Sequence, residues 1–518
     1  MSVTLHARSL TRRVPLQSVH QHRCSSVQVA AHQDAPVSAK WANARPYSEI
    51  PGPRPLPLIG NAWRFMPFIG TIPPEFSDWL KQMQKYGPIS KLTNIPGKRD
   101  FVFLFDPHDF ETAFRNEGQW PERLMQEALP YYRQVTRKDF FQGVGGLIVE
   151  NDEEWQKSRT YVNPVMMQPR NSRNYATRID DISQEFVSKI PGMLDANKET
   201  PADFIKEIQK WALESISMVA LDTRLGCLQS NLPADSEPYR LIHAADEIVE
   251  LFFTLNLKFP LWKFVSTPSW RRFVRTLDFF TEVCMRHIEN AQRRLKEKPH
   301  QDETEMSVLE KLLLRDPNPK KAVVMALDMM MAGIDTTSFT TGCVLYHLAR
   351  NPEQQERLFS ELKQKMPSPD SPLTADVLED LKLNPISVIG ARLAKQDMVL
   401  SNYQIPKGTD LLMGNWLVTT SEDHFPKASS FLPERWLKNS GSCPVHGEHK
   451  PHPFAFMPFG YGKRNCIGMR FALLEIETLV ARVVRKYRLE WHHPEMRFRS
   501  MAIYAPNDPL RIRFSSRE

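Results

Sequence analysis

The most informative stretch of this sequence reads F-M-P-F-G-Y-G-K-R-N-C-I-G and runs from Phe456 to Gly468. Gly462 and Gly468 leave space beside Cys466 and free backbone N–H groups to point at its sulfur. Such donors favour the thiolate, which is the form of cysteine that binds metal ions. Arg464 is placed to bind a carboxylate. The loop therefore predicts a metal-binding thiolate; a glycine-rich turn around a buried structural cysteine is the alternative.

Within this loop, the pattern F-x-x-G-x-R-x-C-x-G resembles the haem signature of the cytochrome P-450 monooxygenases, and every fixed position is matched. The resemblance implies haem b, with Cys466 as the axial thiolate that favours cleavage of the O–O bond. Arg464 would contact a haem propionate, Phe459 would cover the proximal face, and Gly462 and Gly468 would leave room for the porphyrin. The resemblance also implies the cytochrome P-450 fold, which is mainly α with a small β region.

A second motif, A-G-I-D-T-T at residues 332–337, lies in the middle of a predicted helix over 320–350. Glycine lowers helix stability by about 1 kcal/mol relative to alanine, and a hydroxyl group competes for backbone hydrogen bonds, so we expect a local break in the helix. The motif resembles the family's A/G-G-x-D/E-T. That likeness implies an acid–alcohol pair, Asp335 and Thr336, that handles protons and O₂. A helix kink is the alternative for the motif alone.

Further cofactor-binding residues are predicted upstream of the loop. Trp155 and Arg159 are four residues apart and share one helix face. The pair resembles the family's W-x-x-x-R, which implies that both bind a haem propionate; a surface Trp–Arg stack is the alternative. Arg392 lies where the family has another propionate-binding arginine. Each of these three residues therefore receives a predicted role in holding haem.

One family element is missing from the sequence. The family carries E-x-x-R on a helix, and its Glu and Arg pair with an arginine equivalent to Arg435 in F-L-P-E-R-W. No glutamate between residues 353 and 448 has arginine three positions later. An E-x-x-K variant at Glu379 to Lys382 is one interpretation, and a deletion of roughly 15 residues, or about four helical turns, near 382–383 is the other. We favour the deletion, which would remove the partners of Arg435 and impair the enzyme.

The first 33 residues contain four arginines and no acidic residue. This composition is typical of a mitochondrial transit peptide, with a disordered basic tail as the alternative. Residues 1–44 are therefore predicted to be a leader and residues 45–518 a single catalytic domain. Since the chain lacks the N-terminal hydrophobic anchor of microsomal members, it resembles the mitochondrial class, closest to insect chains. That class implies a matrix-side location at the inner membrane and electrons from ferredoxin and ferredoxin reductase.

The bulk composition excludes few functions. Hydrophobic residues make up 41% and charged residues 25% of the chain, as in ordinary globular proteins. The net charge of +7 fits either general solubility or a basic face for an acidic partner or membrane. No nucleic-acid-binding motif is present, so no nucleic-acid partner is predicted. The six cysteines have no short spacing, which favours a reducing compartment.

Hydrophobic periodicity predicts helices over 74–86, 176–193, 203–222, 275–297, 320–350 and 352–366, and strands over 89–92, 101–105, 398–403 and 487–491. Residues 251–273 are both aromatic and basic. We interpret them as a substrate lid that touches the inner membrane through Trp262, Phe264 and Trp270, with a buried helix pair as the alternative.

Together these features lead to one hypothesis and three alternatives. The hypothesis is a haem-thiolate monooxygenase that inserts one oxygen atom from O₂ into a small apolar molecule, either steroid-like or xenobiotic. The first alternative is a catalytically impaired splice or gene-model product, because E-x-x-R is missing. The second is a non-catalytic haem-binding sensor or scaffold, and the third is a peroxide-type rearrangement that needs no ferredoxin.

Overall fold

The computed structural model of the protein describes residues 37–66, 69–73, 75–123, 127–229, 232–233, 235–257, 260–297, 306–373, 390–436, 451–500 and 503–517. The chain divides into residues 1–43 and residues 44–518. Within the first part, Val37–Asn43 is helical. The predicted deletion near 382–383 and most of the predicted leader lie outside the described residues.

Helices dominate residues 44–518, as predicted. Amphipathic segments form most of them, with apolar side chains turned toward a common core that includes Trp211, Phe273 and Phe186. In the described part of residues 44–518, the α-helices are Phe76–Gln84, Pro107–Arg115, Ala128–Tyr131, Lys138–Phe141, Gly146–Val149, Asp152–Met166, Pro169–Arg173, Ala176–Met193, Phe204–Ala220, Glu237–Leu257, Pro268–Glu297, Val308–Arg315, Lys320–Arg350, Pro352–Lys365, Asn415–Thr419 and Met469–Lys486.

The helix Lys320–Arg350 is the centre of this core and is called the long helix below. It is long and apolar enough to span a membrane, but most of its apolar window is buried among other helices. Helix Phe204–Ala220 packs closely along it. A Cβ atom on Gly333 would lie 2.7 Å from Cγ1 of Ile216. The glycine therefore serves a close helix–helix contact at this point.

The β region is small. Its main sheet joins Ile89–Leu92, Phe101–Leu104, Asp410–Met413 and Gly390–Leu393 in that order, with the middle two strands parallel and the outer pairs antiparallel. The sheet brings Arg392, near its edge, to the cysteine loop. Three antiparallel pairs complete the region: Met398–Leu400 with Tyr403–Ile405, Tyr487–Glu490 with Arg513–Ser516, and Phe498–Ser500 with Tyr504–Pro506.

The structure corrects the prediction for residues 251–273. Trp262 and Trp270 do not lie at a surface, because they are only 5% and 7% exposed and stack on each other with ring centroids 4.6 Å apart. Phe264, in contrast, is 77% exposed, beside Leu261 at 51% and Val265 at 61%. The two indoles anchor the turn between two helices, since Trp262 Nε1 donates to the Leu255 carbonyl at 2.9 Å.

Candidate active site

Cys466 lies at the end of a tight loop and directly before helix Met469–Lys486. The loop closes on itself because the Cys466 N–H donates to the Phe459 carbonyl at 2.9 Å. Gly460 and Gly462 make the turn possible with φ angles of +73° and +74°, which side chains with a Cβ rarely adopt. The start of the helix directs backbone N–H groups and its positive end toward the sulfur.

The Cys466 thiol is accessible and is also surrounded by many protein atoms. Its side chain is exposed, yet burial among surrounding protein atoms raises the pKa of the thiol. Hydrogen bonds from the backbone of Gly468 and Met469, and the positive charges of Arg123 and Arg159, act in the opposite direction and lower this pKa. These groups stabilise a thiolate.

Four guanidinium groups surround the loop, from Arg123, Arg159, Arg392 and Arg464, and are called the arginine cluster. Arg464 is 3% exposed. Its Nε donates to the Pro121 carbonyl at 2.7 Å, and its Nη2 donates to the Glu150 carbonyl at 2.7 Å. Burial and repulsion from Arg123 and Arg392 lower the Arg464 pKa to about 9. Arg464 is thus a strongly desolvated cation two residues before Cys466.

Arg392 is fixed by the one carboxylate that touches it among the described residues. Its Nε donates to Glu117 Oε2 at 2.6 Å, and its Nη2 donates to the Tyr461 carbonyl at 3.2 Å. Gly462 closes this contact from the other side, since a Cβ there would lie 2.5 Å from Glu117 Oε1. Glu117 was not predicted as a site residue; it precedes a glycine in a loop and has no periodic signal.

Trp155 and Arg159 both lie buried on helix Asp152–Met166, but they do not stack on each other as the surface alternative would have them. The Trp155 ring instead lies 4.3 Å from the Arg464 guanidinium carbon. Arg159 donates to the Asn465 carbonyl at 2.9 Å and to Asn465 Oδ1 at 2.6 Å. Its Nε is buried without a hydrogen-bond partner among the described residues. The helix therefore braces the cysteine loop directly.

Arg123 is a member of the cluster that the sequence analysis missed. Its Nη2 donates to the Arg464 carbonyl at 2.7 Å. Burial, then repulsion from Arg392, lowers its pKa to about 10. Arg123 also lines a cavity of about 740 Å³, together with Lys98, Asn151 and Asp410. The cavity reaches the arginine cluster through Arg123, whereas Cys466 does not line it. An isolated arginine after Trp120-Pro121-Glu122 gives no pattern that periodicity could detect.

On the long helix, Asp335 is 2% exposed and accepts a hydrogen bond from Gln209 Nε2 at 2.8 Å. Burial, then the negative charge of Asp246, raises the Asp335 pKa to about 7. Gln209 also donates to Asp246 Oδ1 at 2.9 Å. Neither Gln209 nor Asp246 was predicted, because each lies on a helix distant in sequence from Asp335.

The expected break in the long helix is wrong, since residues 332–337 are all helical. The Thr336 hydroxyl donates to the Ala332 carbonyl at 2.6 Å without opening the helix. Ala332 is exposed and Thr336 half-buried, although most of the helix is buried, so the motif presents an accessible face. On the neighbouring face, burial raises the pKa of Glu475 to about 8, and the nearby Thr337 hydroxyl acts in the opposite direction. Glu475 lies on the helix that follows Cys466.

The predicted residues thus fall into two groups. Cys466 has Arg464, Arg392, Arg159 and Trp155 beside it or its loop, while Asp335 and Thr336 lie on the long helix. The rest of the predicted cofactor-binding set belongs to the loop: Phe459, Gly462 and Gly468. Outside both groups, Arg435 is half-buried and donates to the Lys427 carbonyl at 2.6 Å, and its neighbour Glu434 pairs with Arg357.

Comparisons with known proteins show a match over most of the chain. A family model described as cytochrome P450 matches residues 50–514. The chain is 38% identical to the probable cytochrome P450 301a1, mitochondrial, of Drosophila melanogaster, covering 92% of this chain and 88% of the relative. It is also 38% identical to cytochrome P450 CYP12A2 of Musca domestica and 39% identical to the probable cytochrome P450 12a5, mitochondrial, of Drosophila melanogaster; each match covers 92% of both chains.

Proposed function

The chain belongs to the cytochrome P450 family, whose members are haem-thiolate monooxygenases, and on that premise we propose that Cys466 is the axial ligand of its haem iron. Cys466 is exposed, so its sulfur is accessible to iron. Two backbone N–H groups donate hydrogen bonds to the sulfur, and these bonds and the charges of two arginines favour the thiolate. When bound, the haem supplies the iron that activates O₂. Cys466 would hold that iron and supply it with a negatively charged sulfur ligand.

The arginine cluster carries this proposal and fits the two propionates of haem b. Among the described residues, its hydrogen bonds end on backbone carbonyls, on Asn151 and Asn465, and on one carboxylate, Glu117. Buried cations that repel one another require anionic partners. Arg159 still offers a buried Nε donor. We assign the propionates to this cluster, with Trp155 beneath Arg464 and Phe459, Gly462 and Gly468 shaping the loop.

On the long helix, we assign proton transfer to Asp335 and Thr336. With a pKa of about 7, Asp335 can hold and release a proton near neutral pH. The Thr336 hydroxyl hydrogen is used on the Ala332 carbonyl, so its oxygen lone pairs remain free to accept a hydrogen bond on the accessible face. Asp335 would supply protons, and Thr336 would orient the group that receives them.

The reaction is insertion of one oxygen atom from O₂ into a small apolar molecule, steroid-like or xenobiotic. We place the protein in mitochondria, on the matrix side, because two of the relatives named above are called mitochondrial and the leader is arginine-rich. Electrons would then come from a ferredoxin and its reductase. Arg470, beside the cysteine loop, is the candidate basic contact; Arg470→Gln should weaken ferredoxin-dependent reduction, and equal reduction at low salt would contradict the contact.

Contact with the inner membrane is assigned to the turn after helix Glu237–Leu257. Leu261, Phe264 and Val265 form an exposed apolar group there, on a turn that the buried Trp262 fixes. Apolar side chains of this kind enter the boundary between headgroups and acyl chains. This proposal replaces the predicted Trp262 and Trp270 contacts with side chains that are accessible.

An impaired chain remains the second candidate, because no E-x-x-R occurs in residues 353–448. Turnover distinguishes the two candidates. Haem-loaded protein with ferredoxin, its reductase and NADPH should consume O₂ if the enzyme is competent. A haem-loaded chain that is reduced but consumes no O₂ would establish the impaired product or the non-catalytic haem-binding protein.

The thiolate assignment has a direct spectroscopic test. The reduced, haem-loaded protein with CO should show the red-shifted Soret band of a thiolate ligand. Cys466→Ala should abolish that band, while Cys343→Ala, on the long helix, should retain it as the matched control. A thiolate-type band that persists in Cys466→Ala would refute Cys466 as the ligand.

A further inference from the structure

The carboxyl group of Asp335 is connected to the protein surface through two side chains from other helices. Gln209, on helix Phe204–Ala220, is 1% exposed, and its Nε2 donates both to Asp335 Oδ1 and to Asp246 Oδ1, at 2.8 and 2.9 Å. Asp246, on helix Glu237–Leu257, also accepts a hydrogen bond from Lys206. The side chains of Asp246 and Lys206 are 26% and 27% exposed. A buried acid therefore has a partly exposed acid as its near neighbour.

Gln209 sets the distance between these two acids. Because both carboxyl groups accept from the same nitrogen, they lie no farther apart than two hydrogen bonds, a span that one bridging water covers. The Gln209 Oε1 atom is buried without a hydrogen-bond partner among the described residues. A protonated carboxyl at Asp335 or Asp246 is the adjacent group that can supply the missing donor.

We propose that Asp246 is the solvent-facing entry point for protons that reach Asp335, and that Gln209 is the positioning residue that holds the two carboxyl groups together. The step is a transfer between carboxyl groups: an O–H bond at Asp246 breaks, an O–H bond at Asp335 forms through a bridging water, and solvent then returns a proton to Asp246. The inference rests on the proposed role of Asp335 as proton donor.

The charges around Asp335 make the proposal testable by pH. Asp246 raises its pKa, whereas Lys206, Arg499 and the Gln209 hydrogen bond lower it. Asp246→Asn should therefore lower the pH midpoint at which Asp335 titrates, by about one unit, and Lys206→Met should raise it. The midpoint is read in the resting, haem-loaded protein as the infrared carboxyl band that Asp335→Asn removes.

Matched controls lie one turn or one residue away. Glu247→Gln neutralises an acid of similar exposure that pairs with Arg272, and Lys210→Met removes a lysine that pairs with Glu207. Neither should move the midpoint. If Asp246→Asn and Lys206→Met also left it unchanged, or shifted it in the same direction, the proposal would be overturned.

A second measurement separates this inference from the role of Asp335 itself. During ferredoxin-driven O₂ consumption without substrate, impaired proton delivery should raise, several-fold, the fraction of O₂ released as hydrogen peroxide instead of water. We expect that rise in Asp335→Asn, Asp246→Asn and Gln209→Leu. A rise in Asp335→Asn alone would refute only the entry through Asp246, whereas no rise in Asp335→Asn would refute the proposed role of Asp335 and this inference with it.

Discussion

The arginine cluster beside Cys466 and the acidic group around Asp335 solve the same physical problem in different ways. Both place ionisable side chains where water cannot solvate them, which disfavours the charged form. A carboxyl group can take up a proton near neutral pH, as the raised pKa of Asp335 shows. Arginine keeps its charge under ordinary conditions. In our proposal, the arginine cluster is therefore completed by anions of a bound ligand, whereas the carboxyl group of Asp335 can become neutral by binding a proton.

This difference gives the two regions different requirements. Of the described residues bonded to the cluster, Glu117 is the single carboxylate, and it serves Arg392. The other three guanidinium groups donate to neutral oxygens. Around Asp335, the negative charge of Asp246 is opposed by the positive charges of Lys206 and Arg499. We therefore expect changes at the arginines to affect cofactor retention, and changes at Asp335 to affect pH dependence.

The largest expected effect comes from removing a central arginine. Arg464→Met should weaken haem binding by roughly a thousand-fold, or about 4 kcal/mol, because it leaves a propionate buried without its partner. Haem transfer to apomyoglobin measures this loss. Lys463→Met, at the adjacent exposed position, should lose almost nothing. If the Arg464→Met and Lys463→Met variants retained haem equally well, the assignment of the arginine cluster to the haem propionates would be wrong.

The acidic side should show itself in the pH dependence of stability. Folding raises the Asp335 pKa from 3.8 to about 7, so the folded state holds a proton that the unfolded chain releases. The contribution of Asp335 to the free energy of unfolding therefore falls as the pH rises between these two pKa values and past the upper one, by about 3 kcal/mol between pH 5 and pH 8. Asp335→Asn should lack this component of the loss. Urea unfolding at both pH values measures it, and parallel pH profiles for the two proteins would contradict a protonated Asp335.

A glycine pair in the cysteine loop offers a sharper comparison. Gly460 and Gly462 have nearly the same φ, so alanine costs each about 1 kcal/mol in backbone strain. At Gly462 the new Cβ also meets Glu117 at 2.5 Å, whereas at Gly460 the nearest atom is 4.0 Å away. Gly462→Ala should therefore lose about 1 kcal/mol more stability, and more haem. Equal melting temperatures for Gly460→Ala and Gly462→Ala would show that the Glu117 side chain can move away from the new Cβ at no cost in stability.

The smallest effect concerns the membrane contact, which lies outside both charged regions. Phe264→Ser should reduce binding to vesicles of inner-membrane lipids by a few-fold, since one exposed ring contributes modest apolar area. Leu314→Ser, at another exposed apolar position on helix Val308–Arg315, should bind as the parent does. Flotation with the vesicles measures the bound fraction of each variant. If both variants lost the same amount of binding, the contact would not be specific to the turn that carries Phe264.

Local signals in the sequence indicated residues that the fold brings together around the Cys466 loop. The Cys466 loop and the Trp155–Arg159 pair are short motifs, and their residues do lie together. The contacts of Arg392 with Glu117 and of Asp335 with Gln209 could not be predicted, because the two residues of each pair are 275 and 126 positions apart in the sequence. Such contacts arise from helix and strand packing, which periodicity does not encode.

Two errors have physical explanations. The sequence predicts Trp262 and Trp270 at a membrane because aromatic and basic residues occur together there, but both indoles are buried, stack on each other and are held by the Trp262 Nε1 hydrogen bond. The helix break at 332–337 was expected from Gly333 and the hydroxyls. Packing of Ile216 against Gly333, with Thr336 bonded to its own helix, keeps the segment helical. Tertiary contacts overrode local propensity in both cases.

The most direct test of the difference between the two regions compares the affinity for haem b, whose propionates are free, with the affinity for haem dimethyl ester, whose propionates are blocked. The wild-type apoprotein should bind haem b at least about tenfold more tightly than haem dimethyl ester, because each buried charge-assisted hydrogen bond contributes about 1.5–3 kcal/mol. Arg464→Met should lose most of this preference, while Asp335→Asn should keep it. Equal affinity of the wild type for the two haems would contradict the claim that the arginine cluster is completed by the cofactor's own carboxylates.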